Sequence, residues 1–220
     1  MHIKDYYLEN VIVPFVGTNC YFLTLNKDAI LIDAAGDGDI LDKYIENNNL
    51  NLKAILVTHG HYDHIEALDL LHENYKDAKI YLNREEKEVV ENSDFSLMDH
   101  NLKDTTLKSI NLLDNNSIIK LLNLDIKVLN TPGHTIGSTS YYIEELKILF
   151  SGDTLFKDTY GRCDLPTGDM KKIARSVGIE LMKLPDDTIV FPGHGDHTTI
   201  GYERENNDLT KDYVVNWANK

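Results

Sequence analysis

Thr58-His59-Gly60-His61-Tyr62-Asp63-His64 follows directly on the apolar run Ala54-Ile55-Leu56-Val57 and precedes a helical pattern, so it sits at the end of a strand. Three imidazoles and one carboxylate between His59 and His64 supply nitrogen and oxygen donors that suit zinc, iron or manganese rather than calcium. Gly60 lets the loop bend tightly between the first two histidines. Asp63-His64-Ile65-Glu66 also has the spacing of a capping box that would open a helix running to Tyr75. The two roles are compatible, because one carboxylate oxygen can accept a helix amide while the other faces a metal. A solvated loop is the bland reading of the histidines, and the density of the motif weighs against it.

Three further segments repeat the pattern of a strand-like run ending in a glycine turn that carries one ligand-type residue. They are Asn130-Thr131-Pro132-Gly133-His134-Thr135, Leu149-Phe150-Ser151-Gly152-Asp153-Thr154 and Val190-Phe191-Pro192-Gly193-His194-Gly195. Taken singly, Asp153 reads as a turn residue and His134 or His194 as a satisfied loop histidine. Taken together, they complete a set of seven donors.

The rest of the chain reads as alternating strands and helices, an α/β arrangement. Strand-like runs are Asn10 to Val16, Asn19 to Leu25, Ala29 to Ile32, Ala54 to Val57, Asp125 to Leu129, Thr139 to Ile143, Lys147 to Phe150 and Thr188 to Phe191. Helical spacing covers Asp39 to Asn47, His64 to Tyr75, Arg84 to Glu91 and Asp169 to Leu184. Ser93 to Leu113 is polar and weakly periodic, and reads as a helical excursion or a lid over a site. No repeat and no Pro/Gly/Ser-rich linker divides the 220 residues, so one domain over 1–220 is expected.

Composition excludes several classes. A formal charge of -14 repels polyanions, so nucleic acid is not an expected partner and a small molecule is. Met1-His2-Ile3-Lys4-Asp5-Tyr6-Tyr7 shows no apolar run after a basic cluster, and no segment approaches the apolar length of a membrane span, so a cytoplasmic protein without membrane contact is expected. Cys20 and Cys163 lie far apart and outside any Cys-x-x-Cys pattern, which suggests two free thiols. Oligomeric state is left open.

The series His-x-His-x-Asp-His, Gly-His, Ser-Gly-Asp-Thr and Pro-Gly-His-Gly resembles the metallo-β-lactamase superfamily over nearly the whole chain. The resemblance implies a four-layered αββα sandwich and a metal-dependent hydrolase with two divalent ions, zinc first, with iron or manganese as alternatives. It implies that His59, His61 and His134 hold the first ion, that Asp63, His64 and His194 hold the second, and that Asp153 bridges them. Ser151 to Phe156, Tyr160 to Pro166 and Thr198 to Glu203 are similar to glyoxalase II and its shorter bacterial relatives, implying hydrolysis of a small thioester by a bridging hydroxide that Asp63 holds in place.

The chain ends soon after Tyr202, without the basic helical extension of glyoxalase II, so a weak grip on glutathione is expected. Class B1 β-lactamases have Cys at the Asp153 position and flavodiiron proteins have Glu at the His61 position, which argues against both. Arg162 matches a basic family position that can meet a substrate carboxylate, and an internal pair with Asp164 competes with that role. Tyr160 and His197 read as surface residues. No Gly-x-Ser-x-Gly elbow and no phosphate loop is present, so serine hydrolase and P-loop chemistries lack their parts. The rivals are a mononuclear iron persulfide dioxygenase using His59, His134 and Asp153, and a lactonase of the same fold.

Overall fold

The structure is a computed structural model that describes residues 1–14, 16–36 and 38–219. The chain forms two compact units, the first comprising residues 1–113 and 120–124 and the second 114–119 and 125–220. Each unit is built on one large sheet with helices, as the α/β reading expects.

In the first unit the elements run β1 (His2–Ile3), β2 (Tyr6–Val13), β3 (Thr18–Leu25), β4 (Asp28–Ile32), α1 (Asp39–Asn47), β5 (Asn51–Leu56), α2 (Tyr62–Ile65), α3 (Leu68–Asn74), β6 (Lys79–Asn83), α4 (Lys87–Glu91), α5 (Ser93–Ser96), α6 (Asp104–Ser109) and β7 (Ile110–Leu113). The strands stand in sequence order in a seven-stranded sheet. β2 to β4 pair antiparallel and β4 to β7 pair parallel. Parallel strands need crossovers, and the amphipathic segments between them provide these: α1 buries Leu41 and Ile45 four residues apart, and α3 buries Leu68 and Leu71. These side chains join Phe22, Leu31, Ile55 and Ile80 of the sheet in one core.

In the second unit β8 (Ile118–Leu121), β9 (Leu124–Asn130), β10 (Thr139–Ile143), β11 (Ile148–Gly152), β12 (Leu155–Phe156), β13 (Thr159–Tyr160), α7 (Met170–Arg175), β14 (Ile189–Pro192), β15 (Thr198–Thr199), α8 (Ile200–Asn206) and α9 (Asp212–Ala218) follow in order. The main sheet has the order β15-β14-β11-β10-β9-β8, with β11 and β14 parallel and the β9-β10-β11 run antiparallel. Leu149 and Val190 pack with Ile173, Val177, Leu181 and Leu209. No helix among the described residues is long and apolar enough to cross a membrane.

Several expected boundaries shift for identifiable reasons. β2 begins at Tyr6, because Tyr6 and Leu8 alternate inward along a strand whose polar Glu9 and Asn10 interrupt the apolar run; Phe15 lies outside the described residues. The helix expected from His64 to Tyr75 is two helices, α2 and α3, and Asp63 lies inside α2 rather than at a cap, since His61 holds the N-cap position. The segment from Asp169 to Leu184 is α7 followed by a π turn and a 3-10 turn, with Asp169 capping it through the amides of Lys171 and Lys172 at 2.8 and 3.0 Å. Ser93 to Leu113 holds two short helices and the edge strand β7. There the Asp69 carboxylate of α3 accepts from the Lys103 amide and the Thr106 hydroxyl, fixing the start of α6.

Gly133 has φ +137°, and a Cβ there would lie 2.2 Å from the Ile173 amide nitrogen. The backbone of α7 therefore packs directly on the turn that presents His134. Gly133→Ala should destabilise the fold by at least the roughly 1–3 kcal/mol of a forbidden backbone conformation, read as a lower midpoint in urea unfolding. An unchanged midpoint would show that the turn relaxes freely.

Candidate metal centre

In the first unit the parallel strands β4 and β5 end beside one another, and the polar residues follow their C-terminal ends, as is usual for ligand sites on parallel sheets. Asp33 follows β4 in the left-handed region at φ 61°, which an aspartate tolerates better than most residues. It is 1% exposed. Its Oδ1 accepts from the Thr58 amide at 2.7 Å, and its Oδ2 accepts from the Thr58 hydroxyl and from His64 Nδ1, both at 2.8 Å.

These bonds assign protons. A carboxylate only accepts, so His64 carries its hydrogen on Nδ1 and keeps the Nε2 lone pair for a ligand. The Thr58 hydroxyl gives its single hydrogen to Asp33, so towards His59 Nδ1, 3.1 Å away, it acts as acceptor. His59 is then also protonated at Nδ1 with Nε2 unprotonated. The His59 ring lies 4.9 Å from that of His61 and 4.1 Å from that of His64, centroid to centroid. Asp63 Oδ2 is 3.8 Å from His64 Nε2.

Glu86, fully buried, steadies the same loop by accepting the Gly60 amide on Oε2 at 2.8 Å, between the two histidines. Neither Asp33 nor Glu86 was among the residues expected at the site. Asp33 ends an apolar strand run, and Glu86 lies three and four residues before the buried Val89 and Val90, on the apolar face of a helical pattern. A carboxylate at such positions is the signal.

In the second unit His134 follows β9, Asp153 follows β11 and His194 follows β14. The Gly193 amide donates to the Gly152 carbonyl at 2.9 Å, which holds the Asp153 and His194 turns together. His134 Nε2 and His194 Nε2 each lie 3.6 Å from Asp153 Oδ2. That is too long for a hydrogen bond and close to the ~3.4 Å that separates two donors on one tetrahedral ion with bonds of about 2.1 Å. His134 Nδ1 donates to the Arg162 carbonyl at 2.6 Å, which in the neutral ring puts the lone pair on Nε2. Imidazole nitrogens and carboxylate oxygens are the donor types that suit divalent transition metals.

The Arg162 side chain is engaged elsewhere. Its Nε and Nη2 donate to the two Asp164 oxygens at 2.8 and 2.9 Å, and that hydrogen-bonded pair holds the Asp164 carboxyl down at about 2. The thiols are not poised as nucleophiles. Burial pushes Cys20 up to about 12 and raises Cys163.

The metallo-beta-lactamase superfamily model matches residues 13–194, a span that contains all seven ligand-type residues. The hydroxyacylglutathione hydrolase GloC of Haemophilus influenzae is 35% identical over 203 residues, 91% of this chain and 96% of its own. Among solved structures, the BLEG-1 B3 metallo-beta-lactamase has a TM-score of 0.83 at 32% identity, covering 93% of this chain and 100% of that one. The protein TTHA1623, in a di-iron-bound form, has a TM-score of 0.79 at 30% identity over 91% and 99%. The chain belongs to the metallo-β-lactamase superfamily, and it is an enzyme of the metallo-hydrolase type.

Thr58→Val breaks the relay from His59 to Asp33 while keeping the side-chain shape. Divalent-metal affinity should fall about 10- to 100-fold, the usual cost of losing a partner that orients a ligand, in a competition titration against a chromogenic chelator. An unchanged affinity would mean that the hydroxyl does not fix the His59 ring.

Proposed function

We propose that the chain hydrolyses a small thioester at a two-metal centre in which His59, His61 and His134 hold one ion, Asp63, His64 and His194 hold the other, and Asp153 serves both. The observation that carries this reading is the support of the rings: Nδ1 of His59, His64 and His134 lies within hydrogen-bond distance of Thr58 Oγ1, Asp33 Oδ2 and the Arg162 carbonyl, which favours the tautomer whose Nε2 lone pair can ligate. The family match over all seven residues and the likeness to GloC support it. Zinc is the first choice of ion, and the likeness to a di-iron protein supports iron as the next. On this reading residues 1–220 act as one domain, in a reducing cytoplasm that leaves both cysteines free.

Divalent ions bound there supply an activated water near neutral pH and a Lewis acid for the substrate carbonyl. The Asp63 carboxylate takes the proton released by the attacking water. As the C–O bond forms at the carbonyl carbon, the C–S bond breaks and its electron pair leaves on sulfur. A thiol has a reference pKa of about 8.5, so the thiolate departs without a dedicated acid, and the products are a carboxylate and a thiol. A second reading, hydrolysis of a β-lactam, draws on the likeness to BLEG-1 and requires a proton for the leaving nitrogen.

Metal analysis of the purified protein should find two transition-metal ions per chain, and metal-replete protein assayed on thioesters, lactones, a β-lactam, phosphodiesters and a persulfide should release thiol from the thioesters. Oxygen uptake with the persulfide and no thiol release would overturn the reading. His61→Ala should lose metal and turnover together; a mononuclear dioxygenase would keep its iron.

The bidentate pair with Asp164 favours an internal role for Arg162 over a substrate contact. Arg162→Ala should therefore leave KM for thioesters within about twofold, as expected for an exposed ion pair. A several-fold rise in KM at constant kcat would instead assign Arg162 to a substrate carboxylate.

A further inference from the structure

Three of the six exposed large apolar side chains described in the second unit meet at one place. Trp217 and Tyr213 on α9 are 46% and 73% exposed, and Met170 at the start of α7 is 38% exposed. With Tyr160, Leu209, Val214 and Asp208 they line a groove of about 400 Å³. Apolar side chains left in water around a concavity of this size mark a ligand site more often than a plain surface.

Its walls are continuous with the loops that carry His134 and Asp153. Tyr160 forms one wall, and a Cβ on the next residue, Gly161, would lie 1.8 Å from the Asp153 carbonyl oxygen and 3.3 Å from His134 Nδ1. The Arg162 carbonyl then accepts from His134, and Cys163 Sγ lies 3.5 Å from Met170 Sδ on the groove wall. One short segment, 160–163, therefore supports two ligand residues and borders the groove.

The lining selects the occupant. It contains one carboxylate, Asp208, and no cation among the described residues, on a chain whose net charge is -14. An anionic group such as the carboxylates of a peptide thiol finds no partner there, whereas an alkyl or aryl chain finds three aromatic side chains and a thioether. Seven lining residues are also far fewer than the 20–30 per side, burying about 800 Å² per partner, of a stable protein interface.

We propose that this groove is the subsite for an uncharged acyl chain of the substrate, with Trp217, Tyr213 and Met170 setting a preference for bulky apolar acyl groups. The proposal rests on the thioesterase reading, and its test separates the two. Trp217 is the single tryptophan of the chain, so its fluorescence reports on the groove without a label.

Metal-replete protein is titrated with ketone analogues of acyl thioesters, in which a methylene replaces sulfur, carrying acetyl, butanoyl, octanoyl and 4-phenylbutanoyl chains. Trp217 emission should change saturably, with affinity rising up to about fourfold per methylene buried. The ratio of kcat/KM for octanoyl over acetyl thioester should rise in step, and it should collapse in Trp217→Ala and in Met170→Ala, the latter keeping the reporter. Hydrolysis that ignores chain length, with Trp217 silent, overturns the subsite and leaves the thioesterase standing. Chain-dependent binding without thiol release from any thioester supports the subsite and sinks the thioesterase. A ligand-free Trp217 shift that follows protein concentration and a doubling of mass in light scattering overturns the subsite in favour of a contact between two copies.

Discussion

Asp33 is a buried carboxylate that accepts the Thr58 amide, the Thr58 hydroxyl and the His64 ring at 2.7–2.8 Å. Burying a charge without such partners costs several kcal/mol, so the three donors must be present together for β4, β5 and α2 to meet as they do. The Asp33 amide donates to the Leu56 carbonyl, and the Ala34 amide to the His64 carbonyl, so main chain and side chain fix the same junction. From this point the orientation of His64 follows directly and that of His59 follows through Thr58. The loop between them is then held from outside by Glu86 at Gly60.

In the second unit the support described takes another form. His134 leans on a backbone carbonyl, that of Arg162, and the Asp153 and His194 turns lean on each other through the Gly193 to Gly152 bond. A carbonyl is a weaker acceptor than a carboxylate, and the segment that supplies it is held by close backbone packing of Gly161 on Asp153 and by the Arg162–Asp164 pair. The Arg162–Asp164 pair lies on the same turn whose carbonyl meets His134, which is consistent with the internal role proposed above for Arg162.

Legibility in the sequence follows from how local each signal is. The candidate ligand histidines and Asp153 stand out because they follow apolar runs at glycine-bearing turns, a pattern confined to a few neighbouring residues. Strands β3, β4, β10 and β11 were legible for the same reason, being nearly uniform apolar runs. β6 and β7 were not, since Lys79 and Tyr81 alternate outward from Ile80 and Leu82, and Ile110 to Leu113 is too short to show any period. Asp33 and Glu86 act across 31 and 26 residues of sequence, so only the fold reveals their partners. The expected capping role of Asp63 failed because the helix starts one residue before it, at Tyr62, leaving His61 at the cap.

Charge links these details to substrate choice. Asp63 and Asp153 stand among the residues that would ligate cations, Asp33 bonds to one of them, and Glu86 bonds to the Gly60 amide between two of them, on a chain already at -14. Such a field favours divalent cations and, on the function proposed above, would suit a neutral acyl donor that becomes negative only as its carbonyl is attacked. On the thioesterase proposed above, the same field would help expel the leaving thiolate and the carboxylate product. A substrate that arrives carrying several carboxylates would meet that repulsion before reaching the cations. Recognition through apolar contact, as proposed for the Trp217 groove, would escape it.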